Sequence, residues 1–216
     1  MSFLGRLFGE KTGPSKEVNA IFEKIHLITT TDSLQNSFMP GPLYKQMEAN
    51  GGVDEIPSSF GNFGHAITNP IPVNGSLGEV LYLSNIATKS GHKVFSHRIG
   101  SAKNIDIFEI VSINGDFWDI LYLNMYYIRK SRKVPTGYKF QNGDDILLLR
   151  STAYYLPEFP NDFHSVLTNF SVTILGMSIA DKDAKLISNL IRPAEQISKL
   201  SDVEKIIKGR TVAPSF

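Results

Sequence analysis

The chain contains no cysteine. A disulfide framework, a thiolate nucleophile and any Cys-ligated zinc or iron–sulfur site are therefore excluded. It also has no apolar run long enough to span a bilayer. The longest uncharged stretch late in the chain, 165–180, carries Asn169 and several hydroxyl side chains, and a transmembrane helix needs about 20 apolar residues. The start, MSFLGRLFGEKTG, lacks the basic opening, apolar core and small-residue cleavage site of a signal peptide, so a cytoplasmic location is expected. His26, His65, His92, His97 and His164 show no HExxH or HxH spacing. Neither a metal site nor a cofactor is implied, and no P-loop, dinucleotide fingerprint or GxSxG elbow is present.

What the sequence does have is an ordinary globular make-up, with 42% hydrophobic and 20% charged residues over 216 positions. That composition argues against wholesale disorder, and the length allows one full core plus tails. We expect an N-terminal flexible or interfacial segment over 1–13, a single α+β domain over 14–208 and a flexible tail over 209–216. At the very start Phe3, Leu4, Leu7 and Phe8 would share one side of a short helix, with Arg6 and Lys11 nearby. Two readings fit residues 1–9: packing on the domain or on a second copy in a homo-oligomer, and contact with a membrane surface that would make the protein peripheral.

The spacing of Val18, Ile21, Phe22 and Ile25 after Pro14-Ser15 predicts a helix over 15–28. From 29 to 74 the pattern breaks into Gly, Pro, Ser and Asn clusters, an uncommonly long irregular stretch that either carries function or hides a short helix near Leu43–Ala49. Segments 79–87, 93–99, 105–113 and 117–128 are rich in β-branched and aromatic residues and predict a four-strand antiparallel meander. Asn114-Gly115 suits a type I′ turn. That turn places Val111 opposite Trp118, Glu109 opposite Ile120 and Ile107 opposite Tyr122. Both faces of the hairpin are then largely apolar, so the sheet should be covered on both sides. A further strand is expected over 145–155, a helix or strand over 163–179, and helices over 181–190 and 201–208, the last with Ser201 and Glu204 as a capping box. The fold class expected is α+β, with an antiparallel sheet of about five or six strands flanked by an N-terminal helix and C-terminal helices.

The net charge of +1 conceals an arrangement. Between Val80 and Ile105 there is no acid, and Lys89, Lys93, Arg98 and Lys103 stand alone; between Ile120 and Gly143 there is again none, with Arg129, Lys130, Arg132, Lys133 and Lys139 interleaved among Tyr126, Tyr127, Tyr138 and Phe140. The rest of the chain is correspondingly acidic. Cations beside rings near strand ends can hold phosphates or carboxylates and stack on a ligand, while the same residues also serve as solvated edge protection. His97, Arg98 and Glu109 form a second group. In the register above Glu109 lies among apolar residues and must be paired or protonated, with Arg98 as the expected partner; a Ser101–His97–Asp106 triad lacks any supporting motif. Asp119 raises the same question on the opposite face.

These features lead to an expected non-enzymatic interaction or regulatory protein that presents a basic, aromatic-containing loop to an acidic protein partner or a phosphate-bearing ligand. The binding residues would be Arg129, Lys130, Arg132, Lys133, Tyr138, Lys139, His97, Arg98 and Glu109, with no catalytic residue assigned. The alternative is a small-molecule-processing enzyme using a buried carboxylate/histidine pocket on the sheet.

Overall fold

The computed structural model describes residues 27–112, 115–141 and 199–210. Residues 1–9, most of the helix expected over 15–28, the strand expected over 145–155 and the segments 163–179 and 181–190 lie outside this set; residues 27–30 are helical. The architecture is α+β. Among the described residues, besides the helical segment 27–30, four helices, α1 (Asp32–Asn36), α2 (Gly41–Asn50), α3 (Gly75–Ser84) and α4 (Leu200–Arg210), accompany six strands: β1 (Ile71–Pro72), β2 (Ile86–Thr88), β3 (Val94–Ala102), β4 (Ile105–Ser112), β5 (Trp118–Asn124) and β6 (Tyr138–Phe140).

The main sheet runs β1-β5-β4-β3, and β2 pairs with β6 in a separate two-stranded ribbon. Strands β3, β4 and β5 form the expected meander in the expected register, with Val111 opposite Trp118, Glu109 opposite Ile120 and Ile107 opposite Tyr122. Gly115 adopts φ +73°, as an Asn-Gly turn requires. Two expectations are corrected. Among the described residues the main sheet has four strands rather than five or six, and its edge strand β1 is parallel to β5. The segment 79–87 is a helix for most of its length, with only its end in β2. A continuous apolar run such as Val80-Leu81-Tyr82-Leu83 has no period that separates a buried strand from a buried helix. Here Leu81, Tyr82 and Leu83 are all buried, so α3 is enclosed on more than one side.

Both faces of the meander are covered, as the hairpin pattern implies. Phe108, Ile110, Leu121 and Leu123 pack with Ile71, Val73, Tyr82, Leu83, Ile86, Val94 and Tyr138. On the other face Ile99, Ala102, Ile107, Ile120 and Tyr122 pack against Val203 and Ile206 of α4. Each such fully buried side chain stabilises the fold by about 1.5–3 kcal/mol relative to exposure. Helix α4 begins at Leu200, so Ser201 lies inside the first turn and not at the cap. Among the described residues no helix is long and apolar enough to cross a membrane.

The irregular 29–74 stretch does contain the short helix, α2, with Pro42 in its first turn and Gly51 at its C-cap with φ +69°. Asn69-Pro-Ile-Pro leads into β1, since residues before proline favour extended backbone. At the end of α1, Gln35 donates to the carbonyls of Ile28 and Thr29 (2.7 and 3.2 Å), Asn36 donates to Ile128 O (2.7 Å), and Asn74 donates to Gln35 and Asn36 (2.8 and 3.1 Å). Three side-chain amides thus tie the 27–36 segment to the start of α3 and to the loop after β5.

Candidate functional site

The basic run after β5 leaves the sheet as an irregular loop, and the 29–74 stretch meets it with acids. Asp54 accepts from Arg129 Nη1 at 2.6 Å, from the Arg132 backbone amide at 2.8 Å and from Arg132 Nη2 at 3.1 Å. Lys130 pairs with Asp32 and also donates to Gln35 Oε1, and Lys133 pairs with Glu55. Ser131 donates to Asp54 O at 2.6 Å, which locks the two backbones together. Hydrogen bonds from Arg129 and then Arg132 hold the Asp54 carboxyl far below the usual carboxylate range. Those from Lys133 and then Asn69 lower Glu55. Lys133 also lies over the Phe63 ring, 4.8 Å from its centroid. Four cations that stand together in sequence are therefore matched by Asp32, Asp54 and Glu55. These three acids were not among the expected site residues, although the acidic remainder of the chain was the signal for them.

Tyr138 is buried in the core, and its hydroxyl donates to Asp119 Oδ2 at 2.8 Å. The same carboxylate oxygen takes His65 Nε2 at 2.8 Å, while Oδ1 accepts the Ile120 amide at 2.7 Å. The Gly-rich loop Ser59–His65 thus delivers His65 to β5. Gly64 makes this possible: it has φ +76°, and a Cβ there would stand 2.6 Å from Pro135 Cγ. Gly64 O also accepts from the Tyr122 amide at 2.8 Å. The Asp119 hydrogen bond raises the His65 pKa against the opposing effect of burial. Burial, followed by the Asp119 charge, pushes the Tyr138 hydroxyl far upward.

His97 and Glu109 face each other directly across β3 and β4, and both are buried. Glu109 accepts from Trp118 Nε1 at 2.8 Å. Arg98 sits opposite Phe108 on the other face and pairs with Asp106 at 2.5 Å, so the expected Arg98–Glu109 partnership is replaced by Arg98–Asp106. Strand alternation decides this, because His97 and Arg98 point to opposite sides. The register shifts between Arg98 and Gly100, which places Ser101 opposite Asp106 and on the face away from His97, so the three residues of the sketched triad do not meet. Close by, Glu79 of α3 is 1% exposed. Burial, and then the neighbouring Asp106 charge, raises its pKa well above the ordinary carboxyl value.

A third group of cations contrasts with the first. Ala87 of β2 is paired with Lys139 of β6 on one side and bridged to Lys93 on the other. Residues paired across neighbouring strands share a face, so Lys93 and Lys139 stand on one side of the ribbon. Lys89 lies in the turn that follows β2, its amide bound to Gly137 O at 2.9 Å. Lys89 and Lys139 are exposed and Lys93 is partly so. Among the described residues no carboxylate lies within ion-pair distance of these three lysines. Of the expected binding residues, then, Arg129, Lys130, Arg132 and Lys133 cluster with acids, Tyr138 joins the core, His97 and Glu109 are brought together inside the sheet, and Lys139 joins Lys89 and Lys93. Comparison with protein-family models, with curated proteins and with solved structures finds no match to this chain.

Proposed function

We propose that the protein is a non-enzymatic interaction or regulatory protein that offers a basic surface to an acidic or phosphate-bearing partner. The observation that supports this reading is the partition of its cations. The Arg129–Lys133 run is satisfied internally and serves to dock the 29–74 stretch, whereas Lys89, Lys93 and Lys139 stand about the β2–β6 ribbon with no opposing acid among the described residues. Like charges kept together without a counter-charge cost stability through repulsion, and an anionic partner relieves that cost. Arg132, with 76% of its side chain exposed, extends the basic surface beyond its pairing with Asp54.

Fluorescence anisotropy on the full chain tests the reading, with a labelled poly-glutamate peptide and labelled polyphosphate as probes. Saturable binding to at least one of them that weakens steeply as salt rises is the expected result. No binding of either probe at low salt would remove it.

A further inference from the structure

We infer that the Thr88–His92 turn, together with Lys93 and Lys139, forms a binding site for a phosphate group. This rests on the basic-surface reading and narrows it to one place and one ligand chemistry. The turn is tightly stitched. The Thr88 amide donates to His92 O at 2.9 Å, the Gly91 amide to Thr88 O at 2.8 Å, and the His92 amide to Thr88 Oγ1 at 3.1 Å. Ser90 Oγ lies 2.8 Å from Thr88 Oγ1 and 3.4 Å from His92 Nδ1. Gly91 has φ +97°, and a Cβ there would stand 3.3 Å from Lys139 Nζ. The ammonium group of Lys139 therefore rests against the turn at Gly91, the residue between Ser90 and His92.

Lys93 and Lys139 flank Ala87 on the same face, two strand spacings or about 10 Å apart at their bases, which is within reach of two flexible stems closing on one anion. Lys89 adds a third positive charge from the turn itself. Among the described residues the nearby acid is Asp116, whose Oδ2 is 3.9 Å from His92 Nδ1. Three lysines against one carboxylate leave a local excess that suits a dianion. Composition points the same way. The patch is built from lysines, which bind phosphate as point charges that can approach a tetrahedral anion from several directions.

The test is an amide-resolved NMR titration of the full chain with inorganic phosphate at constant ionic strength set by NaCl. Saturable shifts are expected at Ser90, Gly91, His92 and the β6 amides. The Lys93→Gln/Lys139→Gln variant should weaken the titration by on the order of tenfold, the loss of two exposed charge contacts, while Lys45→Gln, at an exposed position of α2, leaves it unchanged. An unshifted thermal melt of the double variant shows that folding is intact. Shifts centred on 129–133 instead, or a titration indifferent to the double substitution, would overturn this site while leaving the basic-surface reading standing. Phosphatidylcholine vesicles with and without a phosphatidylinositol phosphate separate the two sources of the group: binding only to the phosphorylated vesicles places it on a lipid, and a response to inorganic phosphate alone makes it soluble. A response to neither would overturn the inference.

Discussion

Replacing Asp119 with Ala should produce a destabilisation whose size depends on pH in a predictable direction. The carboxylate accepts three hydrogen bonds, from His65, from Tyr138 and from the Ile120 amide, at 2.8, 2.8 and 2.7 Å. Bonds to a charged group are worth about 1.5–3 kcal/mol each when well sheltered, and a buried donor left alone costs about 1–3 kcal/mol. Here the side chains of His65 and Asp119 are 23% and 21% exposed, which discounts the ionic part, while Tyr138 is buried at 3% and would keep an unsatisfied hydroxyl. A loss of about 3–4 kcal/mol follows, lowering the melting temperature by roughly 6–15 °C for a chain of this size. The His65 pKa is raised in the folded protein, so its ionic contribution is fully present below the unfolded value of 6.5 and is lost as pH rises through the folded value. Thermal melts of wild type and Asp119→Ala should therefore differ more at pH 6 than at pH 8.5. The neutral imidazole N–H still donates at the higher pH, so the difference shrinks without vanishing. A gap that is constant across this range, or that widens with pH, would refute the assignment of His65 as a charged partner of Asp119.

Asp54→Ala should lower the melting temperature at low salt and lose most of its effect at 1 M NaCl, where the Debye length falls to about 3 Å; an effect that survives high salt would contradict the ion-pair account of how the 29–74 stretch docks. Glu79→Gln keeps a donor for Asp106 but cannot ionise. Because the Glu79 pKa is raised on folding, wild type loses stability as pH rises past the ordinary value of 4.5, and the variant should overtake it in denaturant melts at alkaline pH. Val203→Ala should cost about 2 kcal/mol in urea unfolding, since Val203 is 0% exposed where α4 covers the sheet; a neutral result would show that α4 is not packed on Ile107, Ile120 and Tyr122.

Part of this structure was legible before any coordinates. Alternation over 105–112 and 118–124 with an Asn-Gly joint determines a hairpin, its register and the membership of both faces, because side chains alternate with period two and a one-residue slip would invert them. The apolar character of both faces called for two covering layers, and the structure supplies them from α3 and α4. The run at Val80–Leu83 was not legible. Four consecutive apolar residues fit a buried helix and a buried strand equally, and enclosure in the tertiary structure decides between them.

For the site, the sequence by itself determined the segregation of charge: two acid-free windows and an acidic remainder. It also determined that thiol chemistry is absent. Only the tertiary structure decided which cations are neutralised. Asp54 lies 75 positions from Arg129 and Asp32 lies 98 from Lys130, separations at which no local pattern signals contact. The fold brings the 29–74 stretch back over the Arg129–Lys133 run, while Ala87 pairs with Lys139 on one side and bridges Lys93 on the other, placing both lysines on one face with no acid opposite among the described residues. Ion pairing acts over a few ångströms of space regardless of distance along the chain, so the count of charges belongs to the sequence and their balance belongs to the fold.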